Sequence, residues 1–258
     1  MTQFSRSEPV PAFWCRIPSR GNVGDRLTPW LIERVTGRYP RFVRPADPGP
    51  KVIAAGSIAA YAGRECVVWG AGLMTRSERL SPLAEYRAVR GPLTREAALA
   101  WGANCPPVYG DPALLLPRFY RPGRKTGAGV GLAPHFADKR RFGEKFFEAV
   151  QMKLIDVQSP VEDFIDQVCS CAAVASSSLH GLIISHAYGI PAVWVKFGDL
   201  PSGDDSKFYD YFLSIGLDEV TPFCIHPDHL DLDALAAQAI LPAGLPDLDL
   251  LWECCPFR

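Results

Sequence analysis

A long window without charged residues is the feature that most limits how this chain can fold. No lysine, arginine, aspartate or glutamate occurs between residues 167 and 195. About 20 apolar residues are enough to cross a membrane, but this window also contains many serines, two histidines, Gly189 and Pro191. We therefore interpret the window as the buried interior of a globular protein rather than as a membrane span.

The window divides into a strand, a polar turn, a helix and a second strand. Ala172 to Ala175 form the first apolar run, a serine-rich turn follows, and a helix is predicted from Leu179 to Tyr188. Gly189 ends the helix, and the sequence PAVWVKF supplies the next strand. A strand, a helix and a strand in such a short run predict a parallel sheet with both faces covered.

The same alternation recurs along the rest of the chain. Short apolar strands followed by glycine-rich turns or helices occur before the proline- and arginine-rich passage Pro117–Gly127 and again after it, and the passage itself is typical of a linker. We therefore predict an α/β fold of two Rossmann-like, doubly wound domains that face a cleft, with boundaries at residues 1–118 and 119–258. Clefts between domains are common small-molecule sites.

Charge and cysteine content argue against several classes of function. The net charge of -1 and the isoelectric point near 6.5 give no reason to expect nucleic acid as a partner. The eight cysteines lack CxxC spacing, and no apolar segment typical of a signal peptide follows the N-terminal charges. We predict a cytoplasmic protein with reduced thiols and no metal site, and we place the HPDH sequence (residues 226–229) in a polar loop.

The chain ends in an apolar, aromatic segment after about residue 221. One interpretation is that this tail packs on the core. The other is that it contacts the inner face of the plasma membrane, which would make the protein peripheral there.

The serine-rich turn lies where ligands bind in open α/β sheets, between the end of a strand and the start of a helix. The first N–H groups of that helix have no backbone partner and attract anions. The hydroxyls of Ser176, Ser177 and Ser178 can bind an anion, and His180 can supply a proton. The alternative is that one serine only caps the helix and that His180 is a half-buried structural histidine.

Two other strand ends carry residues that suit a polar ligand. Asn22 and Asp25 follow the first strand, where they either bind a ligand or fix the turn. The helix after them is predicted to be capped by Thr28, with Pro29 at its first position. Asp111 ends a later strand and serves either as a turn residue or as a hydroxyl-binding carboxylate.

Three basic residues are candidates for binding an anion. Arg90 ends a predicted strand, from which its guanidinium can bind a phosphate or a carboxylate. His135 follows the glycine-containing strand that opens the second half and is predicted to face the cleft. Lys207 either reaches the ligand or lies over an apolar surface.

Taken in order, these sequences resemble the polysaccharide pyruvyl transferase family. The resemblance covers about residues 22–216 and rests on GNVGD, VRGPLTRE, YGDPALLL, APHFADK, SSSLHGLIISHAYGIPAVWVKF and KFYDYFLSIG. It implies a GT-B-like pair of domains, with Arg90 and His180 at family positions. Many members carry an arginine where this chain has Ser178, so Lys207, His135 or another arginine is expected to replace that cation.

The resemblance also implies substrates and a division of roles. Phosphoenolpyruvate is the expected donor, bound on the second domain, and His180 is the expected acid. Asp25 is the expected base that orients or deprotonates an acceptor hydroxyl. Donor-binding residues are expected to be Arg90, Ser176, Ser177, Ser178, His135 and Lys207, and acceptor-binding residues Asn22, Asp25 and Asp111. A xanthan-like acceptor would be a lipid-linked oligosaccharide whose terminal mannose is modified at its 4 and 6 hydroxyls, with no metal or cofactor.

Two other functions stay open at this point. A nucleotide-sugar glycosyltransferase of the same architecture would use strand-end glycines and a cleft arginine to bind a diphosphate. A non-catalytic binder of an anionic metabolite or a glycan would not need His180. Donor binding and the effect of removing His180 distinguish the three functions.

Overall fold

The chain forms two parallel β-sheets flanked by helices. The computed structural model describes residues 8–16, 21–123, 127, 129–140, 145, 152–198, 203–225 and 230–258. The strands of the first sheet are β1 (Val10–Phe13), β2 (Pro40–Phe42), β3 (Lys51–Ile53), β4 (Cys66–Trp69) and β5 (Glu85–Ala88). Those of the second are β6 (Val130–Ala133), β7 (Lys153–Leu154), β8 (Ala173–Ser176), β9 (Ala192–Lys196) and β10 (Phe223–Cys224). All pairs within the two sheets are parallel, which confirms the predicted α/β class.

Both sheets have the same strand order relative to the chain. The order is β2-β1-β3-β4-β5 in the first sheet and, from the opposite edge, β7-β6-β8-β9-β10 in the second. In each sheet the direction of winding reverses between the first and third strands, which are β1 and β3 in one and β6 and β8 in the other. Ligands in such sheets bind beyond the carboxyl ends of the strands at this reversal. The residues that follow β1, β3, β6 and β8 are therefore where a site is expected.

Helices cover these sheets. The α-helices are α1 (Val23–Thr36), α2 (Pro92–Ala100), α3 (Val161–Cys169), α4 (Leu179–Ala187), α5 (Ser206–Ser214), α6 (Leu232–Ala237) and α7 (Leu248–Glu253). Short 3-10 helices cover Ala59–Tyr61 and Pro112–Arg118, and residues 136–140 are also helical. Most of the helix predicted between residues 139 and 151 lies outside the described residues, as does the HPDH sequence.

The charge-free window is the interior of the second half, as predicted. It contains β8, α4 and most of β9, and α4 is buried from Leu179 to His186. Its own sheet lies on one side of α4, and the 3-10 helix Pro112–Arg118 of the first half packs against it as well. A helix enclosed in this way has no face for a charged residue. Among the described residues, no helix is long and apolar enough to cross a membrane.

The start of α1 differs from the prediction. The helix begins at Val23, with Asn22 rather than Thr28 as its cap, and Pro29 lies inside it. Asn22 and Asp25 form a capping box, in which each side chain accepts a hydrogen bond from the other residue's backbone N–H. This reciprocal cap outweighs the usual preference for proline in the first turn, and Pro29 costs the helix one backbone hydrogen bond.

Other differences concern short segments. β2 was not expected; it is an edge strand that begins with a proline, a position where the missing N–H is tolerated. The predicted strand before Asp111 reduces to one bridge between Tyr109 and Val89. The predicted linker begins later, because Pro117 and Arg118 belong to a 3-10 helix. The domain boundary at residue 118 stays a prediction.

The C-terminal tail packs on the first half of the chain. The Trp69 indole Nε1 donates a hydrogen bond to the Leu251 carbonyl (2.8 Å), and the Phe257 ring contacts the Trp69 ring edge-on at 5.3 Å between centroids. Leu251 and Phe257 are both buried. The interpretation that the tail packs on the core is therefore confirmed, and these apolar side chains are not exposed to a membrane surface.

A buried ion pair joins the two halves. Arg90 follows β5, and its Nε donates to the Asp210 carboxylate on α5 (3.0 Å); both side chains are fully buried. Thr94, on α2, donates to the same carboxylate through its backbone N–H (2.9 Å) and its hydroxyl (2.7 Å). The remaining guanidinium nitrogens donate to Leu73 O and Ser57 Oγ. We call these five residues the interdomain clamp.

Candidate active site

A cavity of about 220 Å³ lies between the two halves. Asn22 follows β1, Ser57 follows β3, His135 follows β6 and Ser178 follows β8, so each strand at a winding reversal contributes to its wall. The other lining residues are Cys15, Asp25, Gly56, Ile58, Met74, Phe136, Leu179, His180 and Lys207. The cavity therefore lies where the strand order places a ligand site, between the halves as the sequence predicts.

Asn22 and Asp25 reach the cavity because the capping box holds them at the start of α1. The Asn22 N–H donates to Asp25 Oδ2 at 2.9 Å, and the Asp25 N–H donates to Asn22 Oδ1 at 3.2 Å. Burial raises the pKa of Asp25 from 3.8 to about 6, and the Asn22 N–H and His180 oppose this only in part. The pair thus fixes the turn, and because both residues also line the cavity, their binding of a ligand stays a prediction. A carboxylate with this pKa can change its protonation near neutral pH.

The raised pKa of Asp25 gives a pH-dependent prediction for stability. Because the folded protein binds this proton more tightly than the unfolded chain, the contribution of Asp25 to stability falls as pH rises from about 4 to 6. Asp25→Asn keeps an oxygen for the capping bond and removes the buried charge. We expect its Tm, relative to the unmodified protein, to be higher at pH 8 than at pH 4 by about 2 °C or more. Thermal unfolding at both pH values tests this, and an equal difference at the two pH values would contradict it.

His180 enters the cavity from the first turn of α4 and is packed between groups of the first half. Its Nε2 lies 3.3 Å from Asp111 Oδ2, which is fully buried. On the other side of the ring lies Gly24, where a Cβ atom would sit 2.1 Å from Nδ1. Asp25 is also close enough for its charge to interact with the imidazole. His180 is thus a cavity residue, with carboxylates from two segments of the first half near its ring.

The three serines of the turn have different positions. Ser176 Oγ donates to the Ala133 carbonyl (2.7 Å), and Ser177 Oγ donates to Asp138 (2.6 Å) and accepts the His135 N–H (2.9 Å). Their hydroxyls brace β6 and the loop after it, so the predicted direct contacts of Ser176 and Ser177 with an anion have no support. Ser178 does line the cavity.

The start of α4 is open to a ligand. Ser178 is the N-cap residue, but its side chain makes no capping hydrogen bond. The interpretation that a serine side chain caps this helix is therefore wrong for Ser178. The Gly181 N–H donates to the Ser178 carbonyl (3.0 Å), so the N–H groups of Leu179 and His180 are the ones that can bind an anion, helped by the helix dipole.

Among the described residues that line the cavity, Lys207 supplies the positive charge, whereas His135 is a neutral donor. Lys207 is only 7% exposed, and burial lowers its pKa to about 8, with Arg90 acting in the same direction. Burial, together with the positive charge of Lys207, lowers the pKa of His135 to about 4. Because His135 Nδ1 accepts the Ala137 N–H (3.2 Å), its proton lies on Nε2. Of the two residues named as replacements for the family arginine, Lys207 carries a charge at neutral pH and His135 does not.

Arg90 and Asp111 do not line the cavity, in contrast to the predictions of direct donor and acceptor binding. Arg90 uses its guanidinium in the interdomain clamp, although Nη1 reaches the cavity wall through Ser57 (2.8 Å). Asp111 lies behind His180, where its Oδ1 accepts the Ala113 N–H (2.9 Å). A strand-end position alone does not distinguish a side chain that faces the cavity from one that faces the neighbouring domain.

Sequence reasoning missed several residues of the cavity. Gly56 and Ser57 follow β3, and the sequence KVIAAGS (residues 51–57), an apolar run that ends in glycine and serine, contains the signal that marks them. Met74, Phe136 and Cys15 have no local pattern that marks them as site residues. Among the described residues, no group of three or more histidine, cysteine, aspartate or glutamate side chains is arranged to hold a metal ion.

Comparison with known proteins identifies the family. The model of the polysaccharide pyruvyl transferase family matches residues 22–197. The chain belongs to this family. An uncharacterised protein of Acanthamoeba polyphaga mimivirus is 30% identical over 214 residues, which are 79% of this chain and 75% of that protein. The match confirms the resemblance at the level of the family and does not single out a member with a xanthan-like acceptor.

The matched range contains most of the cavity of this pyruvyl transferase. It includes Asn22, Asp25, His135, Ser178 and His180, and it ends before Lys207. Lys207 therefore lies beyond the matched residues.

The contact between Gly24 and His180 gives a prediction for the pyruvyl transferase. A methyl group at residue 24 would overlap the imidazole, so Gly24→Ala forces the ring away from the cavity. We expect about a 100-fold lower kcat, the usual cost of a catalytic group displaced by about 1 Å. Gly63→Ala is the matched control, because a Cβ there meets nothing within 4 Å and its activity is expected to be unchanged. Near-normal turnover in Gly24→Ala would show that the position of His180 is not limiting.

Proposed function

We propose that this pyruvyl transferase moves the pyruvyl group of phosphoenolpyruvate onto two hydroxyls of a sugar, as a 4,6-ketal, and releases phosphate. The composition of the cavity carries the proposal. A buried lysine and the open N-terminus of α4 lie next to a histidine flanked by two carboxylates. The lysine and the helix N-terminus suit the binding of an anionic enol phosphate, and the histidine with its two carboxylates suits proton transfer.

The donor is proposed to bind on the side of the second half. Lys207, Ser178 and the first N–H groups of α4 offer positive charge and hydrogen-bond donors there, and His135 adds its Nε2–H. A phosphate near Lys207 would stabilise the ammonium and compensate for its burial. The size of the cavity also favours a small donor, because sites for drug-sized ligands usually enclose about 300–1,000 Å³.

His180 and Asp25 are proposed as acid and base. His180 donates a proton to the methylene carbon of the enol, which creates an oxocarbenium-like centre at the neighbouring carbon. Asp25, with a pKa of about 6, is a carboxylate above that pH and accepts a proton from an acceptor hydroxyl. Both side chains face the same small cavity, as this sequence of events requires.

The reaction balances without an oxidant, metal or cofactor. One proton adds to the methylene carbon, which becomes a methyl group. The first sugar oxygen attacks the adjacent carbon and loses its proton, the carbon–oxygen bond to phosphate breaks, and the second sugar oxygen takes its place and loses its proton. One hydroxyl proton replaces the proton delivered to carbon, and the other leaves with the phosphate.

The acceptor and the cellular setting belong to the proposal as well. The family description supports a polysaccharide or its precursor as acceptor. We propose a lipid-linked oligosaccharide with a terminal mannose, modified at the cytoplasmic face of the membrane. Asn22 and Asp25 of the first half would hold the mannose hydroxyls, and the two halves would be arranged as in GT-B enzymes.

The test is a direct assay of transfer. Purified protein is incubated with phosphoenolpyruvate and a mannose-terminated lipid-linked acceptor while acceptor mass and free phosphate are measured. We expect the mass of one pyruvyl ketal per acceptor and one phosphate released with it. If neither product forms and a nucleotide sugar raises the Tm, a glycosyltransferase replaces the proposal. If anion and glycan bind without any turnover, the chain acts as a binder.

A further inference from the structure

Asp111 holds the side of His180 that faces away from the cavity. The residue is fully buried in the loop after Gly110, and its Oδ1 is fixed by the Ala113 N–H at 2.9 Å. Its Oδ2 lies 3.3 Å from His180 Nε2, close enough for an ion pair, but the contact does not form a hydrogen bond. Among the described residues, neither atom has another hydrogen-bond partner. A buried polar atom without a hydrogen-bond partner costs stability, so a hydrogen bond between this carboxylate oxygen and this ring nitrogen is favourable.

Tyr211, a neighbour of Asp111, does not compete with His180 for a hydrogen bond to Asp111 Oδ2. Tyr211 is near enough that Asp111 contributes, after burial, to the raised pKa of its hydroxyl. That hydroxyl lies 2.8 Å from His186 Nδ1, and His186 Nε2 lies 3.1 Å from the Ile240 carbonyl. A carbonyl only accepts hydrogen bonds, so His186 carries its proton on Nε2, and its Nδ1 accepts a hydrogen bond from the Tyr211 hydroxyl. Tyr211 therefore has no hydrogen to give to Asp111.

The two ring nitrogens of His180 have different surroundings. Nε2 is shielded from solvent and faces Asp111. Nδ1 lies beside Gly24 at the start of α1, where Asp25 lines the cavity. No hydrogen bond joins Asp25 to the ring among the described residues, although the Asp25 carboxylate is near enough to interact electrostatically with the imidazole. Because Nε2 faces Asp111, Nδ1 is the ring nitrogen nearer to the start of α1, which lines the cavity.

We propose that Asp111 is a positioning residue that keeps a proton on His180 Nε2, so that Nδ1 is the atom that delivers the proton to the substrate. The inference rests on the proposed function for the identity of the reaction. The tautomer of the His180 imidazole does not depend on it. A small rotation of either side chain completes the Nε2–H···Oδ2 hydrogen bond. After the proton leaves Nδ1, the ring is neutral and still held by Asp111.

The pairing also joins the halves, because Asp111 belongs to the first and His180 to the second. The 3-10 helix that begins at Pro112 packs on α4, which fixes the distance between the two residues. The acid is therefore oriented only when the halves are docked.

Asp111→Asn tests this proposal because the structure determines which atom of the new amide faces His180. The Ala113 N–H keeps an oxygen in the place of Oδ1, so the new NH₂ group faces His180 Nε2. An amide N–H donates, which forces Nε2 to accept and moves the proton of the neutral ring to Nδ1. We expect the tautomer to reverse and kcat to fall about 100-fold, with the KM for phosphoenolpyruvate within about twofold of normal, because Asp111 does not line the cavity.

The readout is the nitrogen NMR spectrum, recorded above pH 7, of protein labelled at its histidine side chains. The His180 signal is assigned as the one that is missing from the spectrum of His180→Gln. The inference requires the Nε2–H form in the unmodified protein and the Nδ1–H form in Asp111→Asn. An Nδ1–H form in the unmodified protein overturns it without any variant, and so does an unchanged tautomer in folded Asp111→Asn. This spectrum is independent of turnover. If phosphoenolpyruvate is not a substrate, the proposed function fails while the pairing of Asp111 and His180 is still decided.

Discussion

Replacing His180 by glutamine is expected to lower kcat for pyruvyl transfer about 1,000-fold, within the range that general acid catalysis contributes. Glutamine fills much of the same space and its amide N–H can face Asp111 Oδ2, so the buried carboxylate keeps a partner. It has no proton to deliver at neutral pH. His180→Ala is expected to lose activity as well, but it also leaves the buried Asp111 carboxylate without a partner. Its loss of activity therefore combines the missing acid with a loss of stability.

The matched control for His180→Gln is His186→Gln on the same helix. His186 is also buried, but its ring nitrogens contact Tyr211 and the Ile240 carbonyl and it does not line the cavity. We expect His186→Gln to lower the Tm while kcat stays within about threefold of normal. Steady-state rates with phosphoenolpyruvate and acceptor, measured on folded protein, compare the two variants. Equal kcat losses would assign the effect of His180 to packing rather than to acid catalysis.

The second half shows how much of the fold can be predicted from sequence. β8, α4 and β9 follow from the charge-free window, because a helix enclosed on all sides excludes charged residues and leaves a composition that is easy to recognise. The turn before α4 was correctly placed at the edge of the sheet. His135 also lines the cavity, as its position after a strand predicts, and of the two alternatives for Lys207 the structure favours the one that places it at the cavity.

Other features depend on contacts between residues far apart in the chain. Arg90 and Asp210 form a buried pair across 120 positions, and nothing near Arg90 indicates that its partner is a carboxylate rather than a ligand. Asp111 likewise turns toward His180 of the other half. The start of α1 was misplaced for a local reason, because Asn22 and Asp25 satisfy a capping box and Pro29 suggested a later start.

Removing the carboxylate of the interdomain clamp is expected to be the most destabilising single change. Asp210→Ala leaves the Arg90 guanidinium fully buried without its counter-charge and deprives the Thr94 N–H and hydroxyl of their acceptor. Breaking a buried ion pair by removing one partner usually costs about 3–5 kcal/mol. For a chain of this size that corresponds to a Tm lower by about 6 °C or more. Urea unfolding and thermal unfolding measure the change.

Glu96→Ala is the matched control, because Glu96 pairs with Arg76 on the surface at 3.6 Å. An exposed pair is worth less than about 1 kcal/mol, so its Tm is expected to change little. If Asp210→Ala is no more destabilising than Glu96→Ala, the clamp does not hold the halves together.

The clamp also connects stability to catalysis through α5. Asp210 lies one helical turn after Lys207, so the bond to Arg90 fixes the helix that carries the cavity's lysine. Gly91 permits this contact, since a Cβ there would sit 1.8 Å from the Asp210 carbonyl oxygen. Folded Asp210→Ala is therefore expected to show a higher KM for phosphoenolpyruvate, whereas Glu96→Ala is not. An unchanged KM would mean that Lys207 is placed by its own helix and not by the docking of the two halves.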